Sequence, residues 1–116
     1  MTVLTQGKQT GEFLLSEANG DRSREVVTVT VAGAVALPSG QVLGKLSATG
    51  KYVAYNNAGA GGAEIAAAVL LNACPNVNAD YKCTVFVRDC EVWESMLTGI
   101  DAAGKVDLTA LGVIVR

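Results

Sequence analysis

The residues of this chain most suited to chemistry are the glycines of NNAGAGGAEIAAAVLL, from Asn56 to Leu71, with three cysteines and a scatter of carboxylates. Gly59, Ala60 and Gly61 supply the first half of a G-x-G-x-x-G turn. In that motif the glycines let a pyrophosphate approach the backbone at the start of a helix. The sixth position here is Glu64, a carboxylate where the motif needs Gly or Ala and where a phosphate would be repelled. No Lys-Ser or Lys-Thr follows the glycines, so the phosphate loop of nucleotide hydrolases fails too. The stretch reads as a loop tip leading into a buried segment, and no cofactor is expected.

Cys74, Cys83 and Cys90 have the spacing C-x8-C-x6-C, and the chain contains no histidine to complete a zinc site. No metal is expected. The N-terminal residues do not run from a basic leader into an apolar block, so no secretory signal is expected, and an odd number of cysteines then reads as free, reduced thiols. Without histidine, neither Ser nor Cys has its usual base. Asp89, Glu91 and Glu94 are close in sequence, and they read as a solvated face or a dipole-favourable helix start rather than an acid/base pair. No residue set supports catalysis, so an enzyme is not expected.

The elements around these residues are those of one domain. The 116 residues are half apolar and only 17% charged, with a net charge of −2, a folded composition without a basic face for nucleic acid or membrane. The longest strictly apolar run, Ile65 to Leu71, is far short of the roughly 18 residues of a membrane span. Val27, Val29 and Val31 alternate with Thr28 and Thr30, the period of a half-buried strand. LPSG (Leu37 to Gly40) is a turn, and VLGKLS and KYVAY flank a short glycine-containing hairpin loop. Gly33, Gly40 and Gly50 punctuate at the rhythm of an all-β unit. EIAAAVLL is helix or strand by periodicity, and its setting after a hairpin favours strand. YKCTVFVRD reads as a strand, CEVWESMLTG as a short helix capped by Gly99, and VDLTALGVIVR as a helical turn broken at Gly112 before a last strand. The fold class is mainly β, with one or two short helices.

The first 21 residues read as a flexible arm ahead of a β-rich domain at 22–116. Within the arm, EFLLSE (Glu12 to Glu17) is an isolated apolar cluster with two readings. It folds back onto its own core or frays, or it adds a strand to a partner's sheet edge.

The order of features resembles that of the tailed-bacteriophage head decoration proteins, the family typified by the head protein of phage lambda. The residues that carry it are the Ser39-Gly40 turn before Val42-Leu43-Gly44, the Gly50 to Tyr52 hairpin and the glycine tip leading into Ala66 to Leu71. VFVRDCEVW (Val85 to Trp93) and the aliphatic strand after Leu111-Gly112 complete the series. The family's usual Asp-Gly turn is replaced here by the glycine tip. The resemblance implies a compact β-clip or tulip-like barrel that trimerises on the outside of an expanded capsid at three-fold and quasi-three-fold positions. It implies as partners further copies of itself, in a homotrimer, and the major capsid protein, with assembly in the host cytoplasm and residence in the virion. It also implies that an arm segment of Glu12, Phe13, Leu14, Leu15 and Ser16 docks on the shell by strand addition; the two-residue period of such a strand would point Phe13 and Leu15 one way and Leu14 the other. Val92 and Trp93 are candidates for trimer packing, against a plain role in their own core. The glycine tip suits an exposed loop or a close approach between subunits. A small intracellular β-barrel that binds a peptide or small ligand is the alternative.

Overall fold

The period-two pattern of Arg24 to Thr30 builds the strand around which the molecule is organised. In the computed structural model, which describes residues 13–18, 22–31, 36–74 and 79–116, Val27, Val29 and Val31 are buried on one face. Glu12 of the expected arm segment and Gly33 of the punctuating glycines lie outside the described residues. In chain order the strands are β1 (Leu14–Glu17), β2 (Arg24–Thr30), β3 (Val42–Lys45), β4 (Tyr52–Ala54), β5 (Ala66–Leu70), β6 (Asp80–Phe86) and β7 (Cys90–Val92). A one-turn 3-10 helix (Glu94–Met96), helix α1 (Ala102–Ala110) and strand β8 (Val113–Val115) complete the chain.

The protein is mainly β, as its sequence pattern implies. Strands β2, β4, β3, β5 and β6 close into a barrel. Strands β2 and β6 pair antiparallel along their whole length, from Arg24 opposite Phe86 to Thr30 opposite Asp80. Closure is made by a parallel contact of Val29 with Tyr52. The other strands form a sheet in the order β1-β7-β8, antiparallel and then parallel.

Two cores result, and β5 belongs to both. Ala68 and Leu70 face the barrel interior with Val29, Leu43 and Val85. Ala66 and Val69 face a second core that contains Phe13, Phe86, Val92, Leu108 and Val113. A strand covered on both faces reads as a continuous apolar run, which is why periodicity could not separate helix from strand in EIAAAVLL. Helix α1 closes the second core. Its N-cap Asp101 accepts a hydrogen bond from the Gly104 amide (2.7 Å) and another from the Tyr55 hydroxyl (2.8 Å). Burial, then the Asp101 hydrogen bond, push the Tyr55 phenol up to about 12, so it keeps the proton it donates. A cap of this kind satisfies an amide that the first helical turn leaves open. The Asp107 carboxylate in turn accepts the Ala66 amide (3.0 Å), tying α1 to β5.

Two expectations are corrected. CEVWESMLTG is not a helix: Cys90–Val92 is strand β7, and only Glu94–Met96 makes a turn. Cys90 and Val92 are both buried with Glu91 between them, an alternation that a helix would not provide. The three cysteines are also not three separate thiols, because the structure joins the sulfurs of Cys74 and Cys83 and leaves Cys90 free and buried. The chain reverses between β5 and β6, which brings both side chains into the barrel core.

The glycine stretch makes its close approach within the chain. The Ser47 amide donates to the Gly61 carbonyl (2.9 Å) and the Asn56 amide to the Ala63 carbonyl (2.9 Å), folding the loop back over the end of β3. Glu64, the residue that spoils the dinucleotide motif, accepts the Gly62 amide (3.0 Å). Gly62 has φ +114°, and a Cβ there would lie 2.0 Å from the Lys45 carbonyl oxygen. At Gly61, φ is +73° but nothing lies within 4 Å. Gly62→Ala is therefore expected to lose roughly 3 kcal/mol or more, from left-handed strain plus backbone displacement, and Gly61→Ala only about 1 kcal/mol. Urea unfolding of the two variants checks the order; equal losses would contradict it.

Candidate functional site

The residues singled out for docking converge on the three-stranded sheet. Phe13, just ahead of β1, is buried at 1% exposure, its ring edge-on to Phe86 with centroids 5.9 Å apart. Its carbonyl accepts the Trp93 amide (2.7 Å). Leu14 lies opposite Val92 and packs against the second core, whereas Leu15 is 49% exposed. The expected alternation, with Phe13 and Leu15 on one side, is therefore corrected. The register shifts between Leu14 and Ser16, and a bulge of this kind lets one strand carry an extra residue and turn a side chain outward.

Polar contacts then hold β1 to its neighbours. The Ser16 hydroxyl donates to Glu91 Oε2 (2.8 Å), while Arg116 donates to Glu91 Oε1 through Nε (2.9 Å) and Nη2 (2.7 Å). One carboxylate thus links β1, β7 and the residue after β8. Glu17 is clamped by Arg24, from Nε to Oε2 (2.9 Å) and Nη2 to Oε1 (2.7 Å), the two-pronged geometry that favours strong pairing. The same guanidinium lies over the Phe86 ring, 5.4 Å from its centroid. The Ala18 amide donates to the Asp89 carbonyl (3.1 Å) and the buried Ser23 hydroxyl (3.0 Å).

Beyond these contacts the face combines paired charges with exposed apolar side chains. An open groove of about 560 Å³ crosses it, lined in part by Ser16, Glu17, Arg22, Asp89 and Ile114. Its carboxylates are engaged: Glu17 with Arg24, Asp89 with Arg22 (3.2 Å) and Glu91 with Arg116. Glu94, the third acid of the cluster read from sequence, pairs with Lys105 (3.1 Å). Trp93 and Ile114 are 49% and 45% exposed. Ile114 stands opposite Glu91, and Trp93 is the extended residue just past the end of β7, next after buried Val92, so both are directed away from the second core. Val92 points the other way and is fully buried in its own subunit. The signal for Ile114 lay in Val113 to Val115, where alternation alone cannot say which face is covered. The barrel interior is filled by side chains such as Val29, Leu43, Leu70 and Val85, all fully buried.

The site region is thus an edge sheet with exposed apolar residues and arginine-paired carboxylates, set beside a barrel whose interior is filled by side chains. A family model described as "Bacteriophage lambda head decoration protein D" matches residues 3–113, and the chain belongs to that family. No curated protein matches the chain. The family is one of structural head proteins, so this protein is a capsid decoration component of the virion. No helix among the described residues is long and apolar enough to cross a membrane.

Two outcomes follow for this sheet. Phe13→Ala should cost about 3–5 kcal/mol, as for other buried aromatic truncations, and Leu15→Ala less than about 0.5 kcal/mol; chemical unfolding compares them. The Arg24 hydrogen bonds hold the Glu17 carboxyl below its ordinary value of 4.5, and the Ser16 and Arg116 hydrogen bonds do the same for Glu91. Folded carboxyls with lowered pKa bind protons less readily than unfolded ones. The stability they add is complete above the ordinary value and is lost as pH falls through it and then through the folded value. The urea midpoint should fall below about pH 4.5, and less steeply in Glu17→Gln; parallel profiles would contradict this.

Proposed function

We propose that the protein is a cementing subunit that forms a homotrimer on the outer surface of the expanded head, at three-fold and quasi-three-fold sites. There it ties major capsid protein subunits together against the pressure of packed DNA. The observation that carries this reading is the position of β1. The segment singled out for docking enters the domain as an end strand of the β1-β7-β8 sheet, and end strands present main-chain groups to which another chain can pair.

Division of labour within the arm follows from burial. Phe13 and Leu14 root the segment in its own subunit, while Leu15, Ser16 and the residues up to Glu12 engage the shell. Ordering a free segment costs on the order of 1–2 kcal/mol per residue, so a single arm binds weakly. Three arms on one trimer raise the effective concentration after the first contact, and avidity increases by about 10²–10⁴-fold. Trp93 supplies the trimer contact in preference to Val92, whose side chain is consumed by its own core; exposed Trp is the residue type most enriched at interface centres. Subunits assemble in the host cytoplasm before release with the particle.

The decisive experiment removes residues 2–12 and stops short of Phe13, so that the second core stays closed. The truncated protein should keep its melting temperature and lose sedimentation with undecorated expanded capsids; undiminished decoration would overturn the arm reading. Trp93→Ala should shift native mass from trimer towards monomer with an unchanged circular dichroism spectrum. A variant that remains fully trimeric would remove Trp93 from the interface.

A further inference from the structure

The decoration role makes no use of the sulfur atoms, yet the fold sorts them into two groups. Cys83 is an inward residue of β6, and Cys74 follows β5, where it exchanges both main-chain hydrogen bonds with Leu37 (2.9 and 2.8 Å). Both side chains are buried in the barrel core, and their sulfurs are joined. Cys90 sits in the other core, across the barrel wall. Burial pushes its thiol up to about 11, so almost none of it is thiolate at neutral pH. The chain thus holds one pairable couple and one isolated thiol.

We infer that Cys74 and Cys83 form a redox-gated clamp, open as a dithiol in a reducing compartment and closed as a disulfide where a small-molecule disulfide is in excess. In the closing reaction the Cys74 thiolate attacks one sulfur of the external disulfide and releases one thiol. The Cys83 thiolate then attacks the Cys74 sulfur of the mixed disulfide and releases the second thiol. Two protein thiols lose two protons and two electrons, and the external disulfide gains both as two thiols. With the Leu37–Cys74 bridge closed, both sulfurs are shielded, so exchange waits on local opening of that bridge. Closing ties Cys74, and through its main-chain bonds Leu37, to β6 of the barrel wall and reduces the freedom of the unfolded chain. The assignment of the reducing step to the host cell and the oxidised one to the released particle rests on the virion role. The clamp itself does not.

The test uses the full-length protein equilibrated with glutathione, either reduced or predominantly oxidised, then denatured and titrated for thiols. Three thiols are expected after the reducing buffer and one after the oxidising buffer, with a loss of two hydrogens by mass and a peptide linking Cys74 to Cys83. The melting temperature should rise by roughly 10 °C on oxidation. Cys90→Ala should keep that rise, and Cys83→Ala should abolish it. Three thiols persisting in oxidised glutathione, a link through Cys90, or a melting temperature indifferent to oxidation would overturn the clamp. The thiol count is read on unmodified protein, so it decides the matter even if a cysteine variant fails to fold. Capsid sedimentation is measured separately, so loss of shell binding would count against the decoration reading without touching the thiol result.

Discussion

The structure depends on a barrel wall that is covered on both sides. Strands β3, β5 and β6 contribute Leu43, Leu70 and Val85 to the barrel interior and Val42, Val69 and Phe86 to the second core. A wall of this kind has no solvent face, so the three-stranded sheet and α1 must be present for the barrel itself to be stable. Phe13 is the piece that completes this layer, packed on Phe86 and seated over Gly40, where a Cβ would approach its ring to 3.3 Å. Phe13 is consequently part of the core, and the strand that follows it is an end strand of the sheet.

That double role suits a protein that acts by contact. An end strand is normally a liability, because its unpaired main chain invites aggregation. Here β1 is short, bulged and bordered by the charged residues Glu17, Glu91 and Arg116, features that discourage indiscriminate pairing. Arg24 joins the two halves of the design: it clamps Glu17 on β1 and covers the Phe86 ring of the shared wall. Loss of the strand would expose both. The carboxylates that cluster in the sequence are each paired with arginine or lysine: Asp89 with Arg22, Glu91 with Arg116 and Glu94 with Lys105.

Much of the candidate site is legible in the sequence. The apolar cluster at Phe13 to Leu15 stood out against its polar surroundings, and Trp93 stood out as the lone tryptophan of a chain poor in aromatics. Of the two readings of the arm cluster, the structure bears on the folded-back one. Phe13 and Leu14 fold back, and the other edge of the strand they lead into carries no partner strand among the described residues. Ile114 escaped notice because three alternating aliphatic residues do not declare which face will be covered. The partnership of Glu91 with Ser16 and Arg116 spans the chain from end to end, and no local pattern signals it.

Local chemistry in the sequence was enough for the alternation of β2, the turns at Ser39-Gly40 and Gly50, and the strand after Gly112. Tertiary structure alone decided which faces of those strands meet. It made EIAAAVLL a shared wall, drew Cys90 and Val92 into a strand instead of a helix, paired Cys74 with Cys83 and not with Cys90, and folded Gly62 onto Lys45. The physical reason is that period and turn chemistry act between neighbours in the chain, whereas burial is a property of what arrives from elsewhere. A side chain's second neighbour in space is chosen by the closure of the barrel, and that closure is written across the whole chain rather than in any one stretch of it.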